Sequence, residues 1–123
     1  MSIILKLTLN IALILITIIS GFILHKKGKP YHKILFNVHK FATLGFVVWM
    51  SFILSGFDKA VGFDTLFLVF LITAGIALVG LFFSGAMLSV DKTFHTHLWI
   101  HRLTGIVFFI GGIVIFYFMI SLS

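Results

Sequence analysis

Six histidines carry most of the chemistry this sequence offers: His25, His32, His39, His95, His97 and His101. A neutral imidazole exchanges protons near physiological pH and donates a nitrogen lone pair to metals and to haem iron. The supporting cast is sparse. Asp58, Asp64 and Asp91 are the only carboxylates, and there is neither glutamate nor cysteine. Thiolate ligands, iron–sulfur clusters, disulfides and C-x-x-C-H haem attachment are therefore excluded. No phosphate loop, nucleophile elbow or H-E-x-x-H motif is present. A general base or proton relay built on a buried carboxylate is not expected, because all three aspartates fall in or beside connections.

The elements that must position these imidazoles are membrane helices. Of 123 residues, 61% are apolar and 10% charged, against about 45–50% and about 25% in a soluble domain. A hydrocarbon core about 30 Å thick takes roughly 20 apolar residues in helix. Four runs qualify, at about 3–24, 34–54, 65–90 and 97–122. Lipid leaves no water for backbone groups, so each run is helical; the alternating ten-residue segments of a barrel are absent. The first run lacks a small-x-small cleavage site and does not read as a signal peptide. The connections His25–Lys33, Ser55–Asp64 and Val90–Thr96 are short, which predicts an all-α, antiparallel four-transmembrane-helix bundle.

Basic residues divide unevenly between the two ends. Lys26, Lys27, Lys29, Lys33, Lys40, Lys92 and Arg102 accompany the first and third connections; Lys6 and Lys59 lie at the other end. Seven against two places the first and third connections in the cytoplasm and both termini outside. The net charge of +6 is accounted for by this asymmetry, and no nucleic-acid partner is expected. All six histidines fall at the cytoplasmic end. His25, His32 and His95 suit an interface, where their polar tips reach water and headgroups.

The two halves repeat. Ser20-Gly21-Phe22-Ile23-Leu24 and Ser84-Gly85-Ala86-Met87-Leu88 both read S-G-x-x-L, and Val38-His39-Lys40-Phe41-Ala42-Thr43 parallels Ile100-His101-Arg102-Leu103-Thr104-Gly105. The serine–glycine pairs stand 64 residues apart and the histidines 62 apart, a difference that a two-residue change in loop length explains. His39 and His101 then become matched positions one to two turns inside their helices, where an ionisable group signals function. Two imidazoles from different helices can hold one porphyrin between them. Gly21 and Gly85 are expected to make room for the flat ring, and Lys40 and Arg102 to pair with its propionates. His97, four residues before His101 and on the same face, competes as the ligand, as does His25 at the end of the first helix.

Val38-His39-Lys40-Phe41-Ala42 and Leu98-Trp99-Ile100-His101-Arg102-Leu103 resemble the start of a haem-carrying helix in small bacterial membrane b-type cytochromes and ferric-reductase-like transmembrane proteins. The resemblance covers these two short motifs and the four-helix layout. It implies a bacterial or archaeal plasma membrane, one b-type haem with His39 and His101 as axial ligands, and electron transfer with a quinone or a redox partner protein. The second histidine that such families carry further along the helix is missing: Phe52–Ser55 and Val114–Phe116 contain none. One haem, not a transmembrane pair, is the expectation.

Two rival readings accompany it. His95, His97 and His101 could hold a zinc, copper or nickel ion. Alternatively, the chain is a non-catalytic subunit that assembles with partners or as a homodimer through small-residue faces. Thr73, Ala77, Gly80 and Ser84 form one such stripe, for which close helix packing is the expected role ahead of dimerisation.

Overall fold

The computed structural model describes residues 2–61, 65–90 and 94–121, and the side chains of all of these except 3, 57–61 and 94. Helix is the only regular secondary structure among the described residues: α1 is Ile3–Lys27, α2 Lys33–Val61, α3 Thr65–Val90 and α4 Phe94–Ser121. Each contains a stretch long and apolar enough to cross a membrane. The protein is an integral membrane protein whose outer residues face lipid: Ile76 is 69% exposed, Val79 70% and Phe22 66%, exposure that only a hydrocarbon solvent makes favourable.

Three helix boundaries differ from the sequence expectation. The first helix runs to Lys27. His25, Lys26 and Lys27 make up its last turn and complement the negative end of the helix dipole. It stops at Gly28, whose φ of 71° suits a residue without Cβ, and the Gly28 N–H donates to the Leu24 carbonyl at 3.1 Å. The second helix does not end at Leu54; it continues to Val61 through Gly56. A single glycine costs a helix only about 1 kcal/mol, and no proline interrupts the segment. Most of the Ser55–Asp64 connection is thus helical backbone. The fourth helix begins at Phe94, which places His95 in its first turn instead of in a loop and His97 at the end of that turn. Asp64, Asp91 and Lys92 lie outside the described residues.

The chain forms two compact units, Met1–Gly56 and Phe57–Ser123. In the first, α1 and α2 pack antiparallel. A Cβ on Gly21 would lie 2.9 Å from His39 Cε1, and one on Gly45 3.6 Å from Leu13 Cδ2, so positions advance along one helix as they retreat along the other. In the second unit α3 and α4 pair in the same way. A Cβ on Gly85 would stand 3.3 Å from His101 Cε1, on Gly80 2.8 Å from Thr104 Cγ2, on Gly105 3.5 Å from Leu81 Cδ2 and on Gly111 3.3 Å from Ala74 Cβ. Small residues let the two backbones approach, as is usual where lipid offers no hydrophobic drive for association. Three of the four small residues of α3 face inward: Ala77 and Ser84 are buried, and Gly80 meets Thr104. That face is occupied by α4 of the same chain, the packing role expected of the stripe. Thr73 is exposed and bonds back to the Val69 carbonyl at 2.7 Å.

Burial follows the repeat. The buried residues of α1 are Asn10, Thr17, Ser20 and Leu24; 64 residues later stand Ala74, Leu81, Ser84 and Leu88, all buried. On the second helix of each pair, Phe46 and Ile53 are buried, and 62 residues later so are Phe108 and Ile115. The repeat seen in short motifs therefore extends to the inward face of both hairpins.

Candidate functional site

Each hairpin builds one serine–glycine–histidine cluster. In the first, Ser20 is 3% exposed and its hydroxyl donates to the Ile16 carbonyl at 2.6 Å, a back-bond that membrane helices use to satisfy hydroxyls internally. The Thr17 carbonyl lies 3.1 Å from the same oxygen. His39 reaches across from α2, and its Nδ1 stands 3.2 Å from Ser20 Oγ and 2.9 Å from the Thr17 carbonyl. A carbonyl can only accept, so Nδ1 carries the hydrogen. In a neutral imidazole the lone pair then belongs to Nε2. The ring lies against Gly21, where no side chain intervenes.

The second hairpin repeats this arrangement. Ser84 is fully buried; it donates to the Gly80 carbonyl at 2.6 Å, with the Leu81 carbonyl at 3.2 Å. His101 Nδ1 stands 3.1 Å from Ser84 Oγ, beside Gly85. With the serine proton directed at the Gly80 carbonyl, the serine oxygen is left to accept from His101 Nδ1–H, the tautomer that would put the lone pair on Nε2 as in the first hairpin. Such a bond to the remote ring nitrogen fixes the tautomer and orientation of histidines that ligate metals.

The remaining candidates are placed as follows. Gly21 and Gly85, expected to admit a flat macrocycle, each admit an imidazole from the neighbouring helix of their own hairpin. His97 is half-buried and its Nδ1 is shielded from solvent, one turn before His101. His25 is exposed in the last turn of α1. His32 and His95 are exposed, and the His32 carbonyl accepts from the Phe36 N–H at 2.9 Å, opening α2. Lys40 is exposed, with its ammonium 5.1 Å from the centre of the Phe36 ring, a cation–π contact. Phe36 in turn stacks on Tyr31, centroids 5.9 Å apart and planes within 4°. Partial burial holds the Tyr31 phenol above its ordinary pKa and hence neutral. Arg102 is exposed one residue after His101.

Among the described residues, no group of three or more histidine or acidic side chains converges on a point where a metal ion could sit. His95, His97 and His101 are thus not gathered into the three-ligand site that the zinc, copper or nickel reading requires. Sequence reasoning missed the two serines and the Thr17 carbonyl. The signal was present in the repeated S-G pair, but only its glycine was given a role.

Comparison with protein-family models, with curated proteins and with solved structures finds no match to this chain.

Proposed function

We propose that this protein is a membrane-embedded b-type haem protein of electron transfer, with His39 and His101 supplying the two axial nitrogens of one haem. The observation that carries the reading is the duplication of the cluster. Two imidazoles at matched positions each have Nδ1 engaged by their own hairpin, an arrangement that supports Nε2 as the nitrogen each would offer to iron. Haem would supply one-electron chemistry; the protein's part is to hold two imidazoles of one tautomer on stiff helices. Lys40 and Arg102, each exposed and next in sequence to its histidine, are cations available to carboxylates at that end of each hairpin. The electron partner in this reading is a membrane quinone or a redox protein, and the excess of lysine and arginine at the histidine-bearing end supports a cytoplasmic location for it.

The test is optical. Purified protein should show a Soret band that shifts on reduction with dithionite. His39→Ala and His101→Ala should each abolish haem retention, and His32→Ala should leave it intact. A normal reduced spectrum in both core variants would refute the ligand assignment. A colourless, metal-free protein would favour the assembly-subunit reading.

A further inference from the structure

The two hairpins share their buried positions but not their polarity. The inward face of α1 carries Asn10, Thr17, Ser20 and Leu24, whereas the matching positions of α3 are Ala74, Leu81, Ser84 and Leu88. Serine is common to both. At these matched positions asparagine and threonine appear only on α1, where they prolong the polar face away from His39 toward the start of the helix. Ten residues of helix separate Asn10 from Ser20, about 15 Å along the axis.

Packing explains the hydroxyls, since Thr17 Oγ1 donates to the Leu13 carbonyl at 2.8 Å. It does not explain Asn10. This amide is 4% exposed; its nitrogen donates to the Lys6 carbonyl at 3.1 Å, but its Oδ1 is buried with no hydrogen-bond partner. On α2 the indole Nε1 of Trp49 is likewise buried without an acceptor. The hairpin register sets these two residues at about one level. Leu13 lies opposite Gly45; three residues back along α1 is Asn10 and four forward along α2 is Trp49, a mismatch of about 1.5 Å in axial height. One is an acceptor and the other a donor. Buried polar groups in this state are characteristically completed by water.

We infer that the polar face of α1 is a water route, running from Asn10 and Trp49 past Thr17 to the Ser20–His39 cluster, and that the second hairpin, with Ala74 and Leu81 in the same positions, has none. The route reaches the Nδ1 side of His39 from the end of the hairpin opposite the histidine-bearing connections. It would make the two imidazoles unequal: one in proton exchange with water through its hairpin, the other sealed. The inference does not depend on what the imidazoles hold.

The absence of native cysteine makes the test direct. Thr17→Cys and Leu81→Cys occupy matched buried positions; Ile18→Cys, at a residue 52% exposed on the lipid side, sets the background. A methanethiosulfonate reagent reacts with thiolate, which forms only where water reaches the sulfur. In proteoliposomes of the full chain, Thr17→Cys should react at least about tenfold faster than the other two, and adding Asn10→Ala, the residue of the second hairpin, should slow it toward background. Equal rates at Thr17→Cys and Leu81→Cys, or a Thr17→Cys rate indifferent to Asn10→Ala, would overturn the inference. Should Thr17→Cys fail to fold, proton exchange at the two imidazole Nδ1–H groups of the unmodified protein decides the matter. Exchange at His39 should outpace that at His101 by about tenfold or more, and equal exchange refutes the route.

Discussion

Replacing Gly21 with alanine should destabilise the first hairpin, while the equivalent change at Gly85 should not destabilise the second. The added methyl at Gly21 would stand 2.9 Å from His39 Cε1 and 3.2 Å from its Nδ1, well inside the roughly 3.5–4.0 Å at which carbon atoms sit comfortably. The ring has little freedom to withdraw, because Nδ1 is tied to the Thr17 carbonyl and Ser20. Overpacking of this kind costs about 1–3 kcal/mol; the helix propensity gained on replacing glycine offsets up to about 1 kcal/mol. The net is a loss of about 0–2 kcal/mol. At Gly85 the methyl would meet His101 Cε1 at 3.3 Å, a shortfall that a shift of a few tenths of an ångström removes. There the propensity term prevails, giving a change between zero and about 1 kcal/mol in the stabilising direction. Reversible unfolding in mixed micelles measures both. A double-mutant cycle isolates the cause: in a His39→Ala background the cost of Gly21→Ala should vanish, with a coupling of about 1–3 kcal/mol. A Gly85→Ala loss larger than that of Gly21→Ala, or a Gly21→Ala cost that persists without the imidazole, would refute the account of these glycines as seats for the rings.

Two further substitutions probe the helices that hold the clusters. Gly80→Ala should cost about 1–3 kcal/mol, because the methyl would fall 2.8 Å from Thr104 Cγ2 while the Thr104 hydroxyl is bonded to the Ile100 carbonyl at 2.7 Å; Thr104→Ser, which deletes Cγ2, should relieve most of that cost in the same unfolding measurement. Gly28→Ala should cost about 1–3 kcal/mol through its backbone conformation alone, as a Cβ there meets nothing within 4 Å, and Gly28→Asn should cost about as much, because φ 71° with ψ −170° lies outside the left-handed helical region that asparagine tolerates.

The helices were legible in the sequence because lipid leaves one solution to the backbone. Thr65–Val90 matches the structure at both ends, bounded on either side by polar, charged residues. The ends of α2 and α4 were misjudged for a common reason. Glycine, aspartate and histidine suggest loops near 55–61 and 94–96, yet none of them forbids a helix, and a helix already nucleated extends at small cost. Of the site, the matched histidines and the S-G pairs could be read from spacing. Their bonding could not. Sequence distance does not reveal that Ser20 stands one turn beyond the Thr17 carbonyl on the side that faces His39, nor that the macrocycle's supposed clearance is filled by an imidazole edge. Asn10 passed unnoticed because a single amide in an apolar run gives no periodic signal; only its unmet acceptor distinguishes it.

The short reach of each cluster bears on how the protein is made. Ser20 and His39 are separated by 19 residues and Ser84 and His101 by 17, distances closed by a single helix turnaround. Closing a loop that short carries a low entropic cost, and contacts local in sequence form early. The first imidazole can therefore meet its serine while the chain beyond α2 is still being synthesised, and the second pair can form without waiting for the first. The orientation of each histidine is an inheritance of hairpin formation, fixed before later assembly begins.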